Sequence, residues 1–381
     1  MQAKGLPRMR ILYVGRNARI GGGSTFRLNV GRGMQERGHQ TWLAAWPGEV
    51  LPRYRAAGIG YVWTPPPPWG GPWILRALRR QQIDLVHASN PSPGMAAQWA
   101  CRRAGVPLVI SIHGLLSTRH RDKSCLQTAR RIITFEDAAV SHLKRVFPNE
   151  VDPTKIVHVR RPIVHEPRQP AEEGGFRIVH IGRVSKRKGV NALECIKAFA
   201  EFRQQAPNSR LDILGDGTLL GEVRQAAEAY NQSQGEEAIG VHGSVPDPLP
   251  LVGSAHVVIG AGYCALEALM QGIAVIGAGF RGYGVITREN VLHAMKTNSG
   301  DSNFRPEGPP WEITAANFLA ALRRLHAAWQ SGDEVQRRQY WRLDEELAPL
   351  HSVDAVCAHL EGIYSEVLGL PAASDSAQSS S

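Results

Sequence analysis

Apolar residues arrive along this chain in short runs, separated by polar or glycine-bearing stretches with helical spacing. The runs at 10–15, 40–45, 83–87, 107–112, 131–134 and 155–160 have the length of buried strands. Helical spacing fills 24–37, 74–82, 94–104 and 137–147, with Ser24 read as the N-cap of the first helix and Gly38 as its stop. Pro65 to Pro68 followed by Trp69 read as a rigid surface loop. From 165 to 175 the chain is proline, glycine and charge without periodicity, the composition of a linker. Beyond it the alternation restarts, with strands at 177–181, 210–214, 239–242, 257–259 and 274–276 and helices at 190–205, 219–231 and 264–271. Helices at 313–330 and 352–367 close the pattern. Strands and helices alternating at this spacing predict an α/β fold of two doubly wound, Rossmann-like domains, each a parallel sheet covered on both faces. The expected boundaries are 1–164 for the first domain, 165–175 for the linker and 176–370 for the second domain, whose last helix crosses back toward the first. The Ala/Ser-rich stretch 371–381 is too polar to bury and is expected to be disordered.

Composition narrows this picture. A chain of 381 residues exceeds what one core usually serves, in line with two domains. No apolar run reaches eighteen residues, and Met1 to Arg10 lead into a strand rather than a secretory segment, so a cytoplasmic protein is expected. Five scattered cysteines, Cys101, Cys125, Cys195, Cys264 and Cys357, fit neither a disulfide framework nor a zinc site. The net charge of +10 is unevenly spread: residues 1–170 hold 26 Lys and Arg against 9 Asp and Glu, and the remainder holds 18 against 25. A front half at +17 attracts an anionic partner, whether nucleic acid, lipid headgroups or a phosphorylated substrate, unless its arginines are merely solvated.

Three segments carry candidate chemistry. A buried strand runs into Gly182 and Arg183, then into the basic run Lys186, Arg187 and Lys188, which ends on Gly189. Arg183 and Lys188 are close enough in sequence to reach one anion, and arginine suits bidentate phosphate contact. Gly260 and Gly262 open a helix whose positive dipole end, with the amides of Tyr263 and Cys264, favours a diphosphate. Glu267, one turn in, would accept hydrogen bonds from vicinal hydroxyls such as those of ribose. In the first domain Gly21, Gly22 and Gly23 link a strand to a helix N-terminus without matching the GxGxxG dinucleotide pattern. His113 ends an apolar strand, where it would meet a sugar hydroxyl or the reaction centre; His87, at a similar strand end, is the weaker candidate.

These segments together resemble the retaining GT-B glycosyltransferases of the "group one" family over nearly the whole chain. The likeness rests on the strand, Gly-Gly loop and helix followed by Arg37, Gly38 and His39, on 83–87 and 106–110, on Gly182 and Arg183 with Lys188 and Gly189, on 211–217, and on Glu267 to Gly272. The resemblance implies two domains facing each other across a cleft, a nucleoside diphosphate sugar on the second and the acceptor on the basic first. It implies that Arg183 and Lys188 hold the diphosphate, with His113 near the reaction, and that Glu267 holds the ribose. Gly243, Ser244 and Val245 would lie near the nucleobase, and Gly22, Gly23, Gly182, Gly262, Tyr263 and Cys264 would complete the site. The implied reaction moves a sugar to a glycan, lipid-linked or other cell-envelope acceptor with retention, needing no cofactor beyond the sugar nucleotide and no metal. The basic domain would place the protein on the inner face of an anionic membrane; nucleic acid is not expected, because the basic half offers no evident aromatic platform or helix-turn-helix. Two positions depart from the family pattern: Ile259 stands where the first glutamate of Glu-x7-Glu is expected, and Arg161 with Pro162 replaces an Asn-Gly. The segment 282–287 reads as a loop whose backbone would substitute for the missing glutamate. Two alternatives stay open: a nucleotide-sugar-binding protein without turnover, which Ile259 favours, and a nucleotide-sugar epimerase on the same fold.

Overall fold

A computed structural model describes residues 7–114, 116, 123–168, 175–185, 188, 190–301 and 311–371. Lys186, Arg187 and Gly189, residues 169–174 of the expected linker, and the expected tail beyond Pro371 lie outside the described residues. The chain divides into two compact units, Met1–Pro162 with Leu350–Ser381, and Ile163–Pro349.

The first unit runs β1 (Arg10–Asn17), α1 (Gly22–Glu36), β2 (Gln40–Trp46), α2 (Leu51–Ala56), β3 (Gly60–Trp63), α3 (Gly71–Arg80), β4 (Leu85–Ser89), α4 (Pro91–Ala104), β5 (Leu108–Ile112), α5 (Ser124–Thr128), β6 (Arg131–Thr134), α6 (Asp137–Val146) and β7 (Ile156–His158). Its seven strands lie in the order β3-β2-β1-β4-β5-β6-β7, all parallel. Strands such as β1 and β5 read as nearly continuous apolar runs because helices cover both faces; Ile11 to Val14 and Leu108 to Ile112, the polar Ser111 included, are all buried.

The second unit follows the same plan. It runs β8 (Arg177–Ile181), α7 (Val190–Phe202), β9 (Arg210–Leu214), α8 (Leu220–Gln234), β10 (Ile239–Gly243), α9 (Leu249–Gly253), β11 (Val257–Gly260), α10 (Tyr263–Met270), β12 (Ala274–Ala278), β13 (Gly282–Val285), α11 (Val291–Lys296), α12 (Ala315–Gln330), α13 (Glu334–Arg338) and α14 (Asp344–His351). The sheet order is β10-β9-β8-β11-β12-β13, parallel except for β13. The segment expected to be a loop at 282–287 is therefore largely a strand. Gly282 and Gly284 make this strand fit, since Trp311 lies where their side chains would be, with ring atoms 2.3 and 2.9 Å from an added Cβ.

The last helix, α15 (Val353–Leu368), belongs to the first unit, so that unit takes in residues the sequence reading gave to the second domain. Gly33 leaves α1 bare enough for α15 to approach: a Cβ there would meet Val353 at 2.5 Å and Cys357 at 2.6 Å. Charge completes the seam. Arg37 donates to Asp354 at 2.7 Å and to Glu361 at 2.7 and 2.9 Å, and the buried His39 ring meets the other Glu361 oxygen at 2.7 Å.

Candidate functional site

In both sheets the chain reverses its direction of strand addition beside the first strand, between β1 and β4 and between β8 and β11. Ligands of open parallel sheets bind beyond the carboxyl ends of strands at such a switch. The pairing of β8 with β11, Ile181 opposite Gly260, brings the two candidate segments of the second unit side by side.

Glycines build that crevice. The Gly182 amide donates to the Leu214 carbonyl at 3.1 Å and the Val184 amide to the Asp216 carbonyl at 3.1 Å. Such close stacking of two loops is open only to glycine: a Cβ on Gly215 would lie 1.8 Å from the Gly182 carbonyl oxygen, and one on Gly217 would lie 2.1 Å from that of Val184. Arg183 is thereby carried on a braced turn, exposed, with no ion pair among the described residues. Across the switch, Gly262 at φ 64° is the N-cap of α10 and offers no side-chain cap, leaving the positive end of the helix to backbone amides. Glu267 is half-buried one turn along α10, Tyr263 and Cys264 begin its first turn, and Gly243 ends β10 with Val245 two residues beyond. Burial first, then the charges of Glu267 and Asp301, push the Cys264 thiol up to about 12, which leaves it a protonated packing group rather than a nucleophile.

Lys188 is less free than Arg183. Its ammonium is ion-paired with Asp301 and lies 4.4 Å from the centre of the Phe280 ring. Asp301 also stands beside the helix start, its Oδ2 3.0 Å from where a Gly262 Cβ would be. This carboxylate was missed in the sequence, where no spacing ties it to a motif some forty residues away. Ile259, the position expected to carry the family's first glutamate, is fully buried in β11 opposite His180 and Ile276. A carboxylate there would enter the core of the unit, so Asp301 is the acid that the fold brings to this crevice instead.

The first unit presents a more closed arrangement. Gly21, not Ser24, is the N-cap of α1; its carbonyl accepts from the amides of Ser24 at 2.9 Å and Thr25 at 3.1 Å, and the helix begins at Gly22 with Gly23 next. Ser24 is buried one turn in and accepts a hydrogen bond from Arg27 at 3.1 Å. Arg27 also donates to the Asn17 carbonyl at 3.0 Å and lies against Gly15, where a Cβ would come within 2.5 Å of the guanidinium carbon. Sequence reading missed it, because one arginine on a helix carries no local sign of burial. His113 packs edge-on against Phe26, and its Nε2 lies 3.0 Å from the Ser111 hydroxyl. Burial, then the charges of Arg161, Arg27 and His87, hold its pKa well below the ordinary value. His87 is lowered to about 3 by burial and Arg27, and its Nδ1 meets the Tyr364 hydroxyl at 2.6 Å. Both rings are therefore neutral hydrogen-bonding groups at neutral pH. Arg161, in the place of the family's Asn, is ion-paired with Glu136, and its carbonyl meets His351 at 3.0 Å.

Comparison with known proteins agrees with this architecture. Residues 20–166 match the family described as Glycosyltransferase Family 4, and residues 164–301 match Glycosyl transferases group 1. An uncharacterized glycosyltransferase, YqgM of Bacillus subtilis, is 30% identical over 167 residues. The UDP-Gal:alpha-D-GlcNAc-diphosphoundecaprenol alpha-1,3-galactosyltransferase of Escherichia coli is 24% identical over 175 residues. Each alignment covers 40% of this chain and 45% of the relative, so the chain spans just under half the length of the curated relatives it matches. Among solved structures, Anabaena HepE in complex with UDP and glucose superposes with a TM-score of 0.68 at 14% identity, over 94% of this chain and all of that one. The matched segments together run from residue 20 to 301, a Glycosyltransferase Family 4 segment followed by a Glycosyl transferases group 1 segment, on the two-domain α/β architecture of the GT-B fold.

Proposed function

We propose that the protein transfers a sugar from a nucleoside diphosphate sugar to a glycan or lipid-linked acceptor, with retention of anomeric configuration. The observation that carries this reading is the switch between β8 and β11, where the exposed Arg183 stands beside the uncapped start of α10. Arg183 and the α10 amides hold the diphosphate and stabilise it as it leaves, Lys188 joins them when it exchanges Asp301 for phosphate, and Glu267 accepts from the ribose hydroxyls. Gly243 and Val245 line the nucleobase end. His113, kept neutral, hydrogen-bonds the acceptor or the transferred sugar. The UDP and glucose of HepE support a uridine nucleotide as the first ligand to try, and the E. coli relative's name supports a lipid diphosphate acceptor.

Two observations favour a second reading, binding without turnover: Lys188 is committed to Asp301, and the position of the first family glutamate is the buried Ile259. Calorimetric titration with UDP, GDP and ADP and their sugar conjugates tests the shared donor site. One nucleotide is expected to bind at micromolar affinity, with Arg183→Ala and Glu267→Ala each weakening it by about 1.5 kcal/mol or more, roughly tenfold or beyond. Binding that neither substitution alters would refute this site. Sugar release or transfer by the wild type then separates the enzyme from the sensor.

A further inference from the structure

No aromatic platform is expected in the basic half of the chain from its sequence, yet the fold assembles one there. All five exposed tryptophans among the described residues belong to the first unit: Trp46, Trp63, Trp69, Trp73 and Trp99, at 37 to 73% exposure. They come from separate elements. Trp46 ends β2, Trp63 ends the edge strand β3, Trp69 leads into α3 and Trp73 lies in its first turn. Trp46 and Trp63 meet at 5.7 Å between ring centres, and Trp63 and Trp73 at 5.6 Å. Ile20, 45% exposed, follows two residues after Ala18, whose amide donates to the Trp46 carbonyl at 2.8 Å and ties the β1–α1 loop to the end of β2. An apolar ridge of this size on a water-facing surface marks an interaction site.

Its surroundings choose the partner. The first 83 residues carry 13 Lys and Arg and only two acids, Glu36 and Glu49, and Glu36 is paired with Arg32 at 2.8 Å. Arg16 lies beside the end of β1, where Asn17 pairs with Trp46; Arg19 adjoins Ile20; and Arg76 follows Trp73 by three positions on α3. All three are exposed and have no ion pair among the described residues. A sugar-stacking site would offer a flat ring face with carboxylates or amides to take the hydroxyls. Here the indole planes cross at 53° and 69°, and the charged neighbours are cations. Indoles mixed with arginines and nearly free of acids suit the headgroup level of an anionic bilayer, where Trp is enriched and cations meet lipid phosphates.

We propose that Ile20, Trp46, Trp63, Trp69 and Trp73, flanked by Arg16, Arg19 and Arg76, form a membrane anchor that holds the first unit on an anionic lipid surface. The transferase reading supplies the reason for such an anchor, an acceptor presented at the membrane, but the binding is measured without it. The full chain is sedimented with vesicles of phosphatidylcholine alone or mixed with phosphatidylglycerol, over a salt series. The expected result is binding to the anionic vesicles that weakens with salt. Arg16→Gln, Arg19→Gln and Arg76→Gln combined lower partitioning by about a hundredfold at low salt, at roughly fivefold per cation. Trp63→Ala with Trp73→Ala lowers it by about tenfold or more on anionic vesicles. Trp69→Ala, on a surface loop 73% exposed, tests the anchor without touching the core and weakens binding in the same direction. The proposal is overturned if the wild type ignores anionic vesicles, if the tryptophan variants bind as the wild type does, or if they lose binding to an oligothymidylate or a soluble glycan in place of vesicles. Nucleotide titration of the same variants is expected to match the wild type; vesicle binding without nucleotide binding would sink the transferase reading and leave the anchor standing.

Discussion

The two units share a strand order yet treat the space beyond their central strands in opposite ways. In the first, a helix arginine, two histidines and an aromatic cluster fill that space, and polar groups are sealed among Phe26, Phe135 and Tyr364. In the second, glycines fill it, and the exposed charge of Arg183 stands on backbone stacked against backbone. One topology therefore serves both a positioned set of neutral hydrogen-bonding groups and an open cradle for a highly charged ligand. What separates them is the size of the residue at each turn: large side chains close a crevice, and their absence lets amides line it.

Several substitutions break or sharpen this contrast. The largest effect is expected at Gly215, where φ is +138° and an added Cβ would lie 1.8 Å from a backbone oxygen that cannot swing away. Gly215→Ala should cost about 3 kcal/mol and weaken nucleotide binding through the displaced Arg183 turn, as read by calorimetric unfolding and titration. The matching change in the first unit, Gly15→Ala, meets only the end of the Arg27 side chain, so a cost of about 1 kcal/mol is expected. Equal costs would dissolve the contrast.

Next comes the charged seam of the first unit. Glu361→Ala removes the acid shared by Arg37 and the buried His39 and should cost about 2 kcal/mol, while nucleotide affinity, a property of the second unit, holds at the wild-type value. Unfolding calorimetry and titration of the same preparation check both halves of that expectation.

Acid acts on both units. His87 is lowered to about 3, and His180 and His351 to about 4, mainly by burial. Each stays neutral in the fold at a pH where the unfolded chain, with an ordinary pKa near 6.5, takes up a proton. Their contribution is full above pH 6.5 and declines as pH falls toward 4, by about 1.4 kcal/mol per pH unit for each ring. Melting temperature measured across that window should fall, and His180→Asn should flatten the decline.

The smallest effect is expected at Asp301. Asp301→Asn releases Lys188 and should strengthen nucleotide binding by a few-fold, about 0.5 to 1 kcal/mol, in the titration already described. Weaker binding would instead make Asp301 a ligand-holding acid.

The strands were legible because a sheet covered on both faces demands mostly apolar runs, as in β1, β5 and β8. The glycine loops were legible for a related reason: a turn that must pack against backbone admits few other residues. Less was readable where partners are far apart in sequence. Asp301 meets Lys188 only through the fold, Arg27 gives no local sign of its burial, and the tryptophan ridge gathers residues from four elements. Ser24 misled because serine is a preferred cap, but Gly21 already held the turn and left Ser24 to bind Arg27. The short strands β3 and β13 escaped because four residues with glycines carry little periodicity, and their place comes from Trp42 and Trp311 lying over those glycines.

The return of α15 to the first unit has a consequence for how the molecule comes into being. A ribosome releases the chain from its amino end, so α1 emerges with the Gly33 groove, Arg37 and His39 ready. The helix that covers them follows more than three hundred residues later. Throughout that interval the whole second unit is synthesised and free to fold, while the first waits with an open flank. The unit made first is thus the one finished last, and a chaperone that shields the bare face of a nascent α1 would find its longest opportunity here.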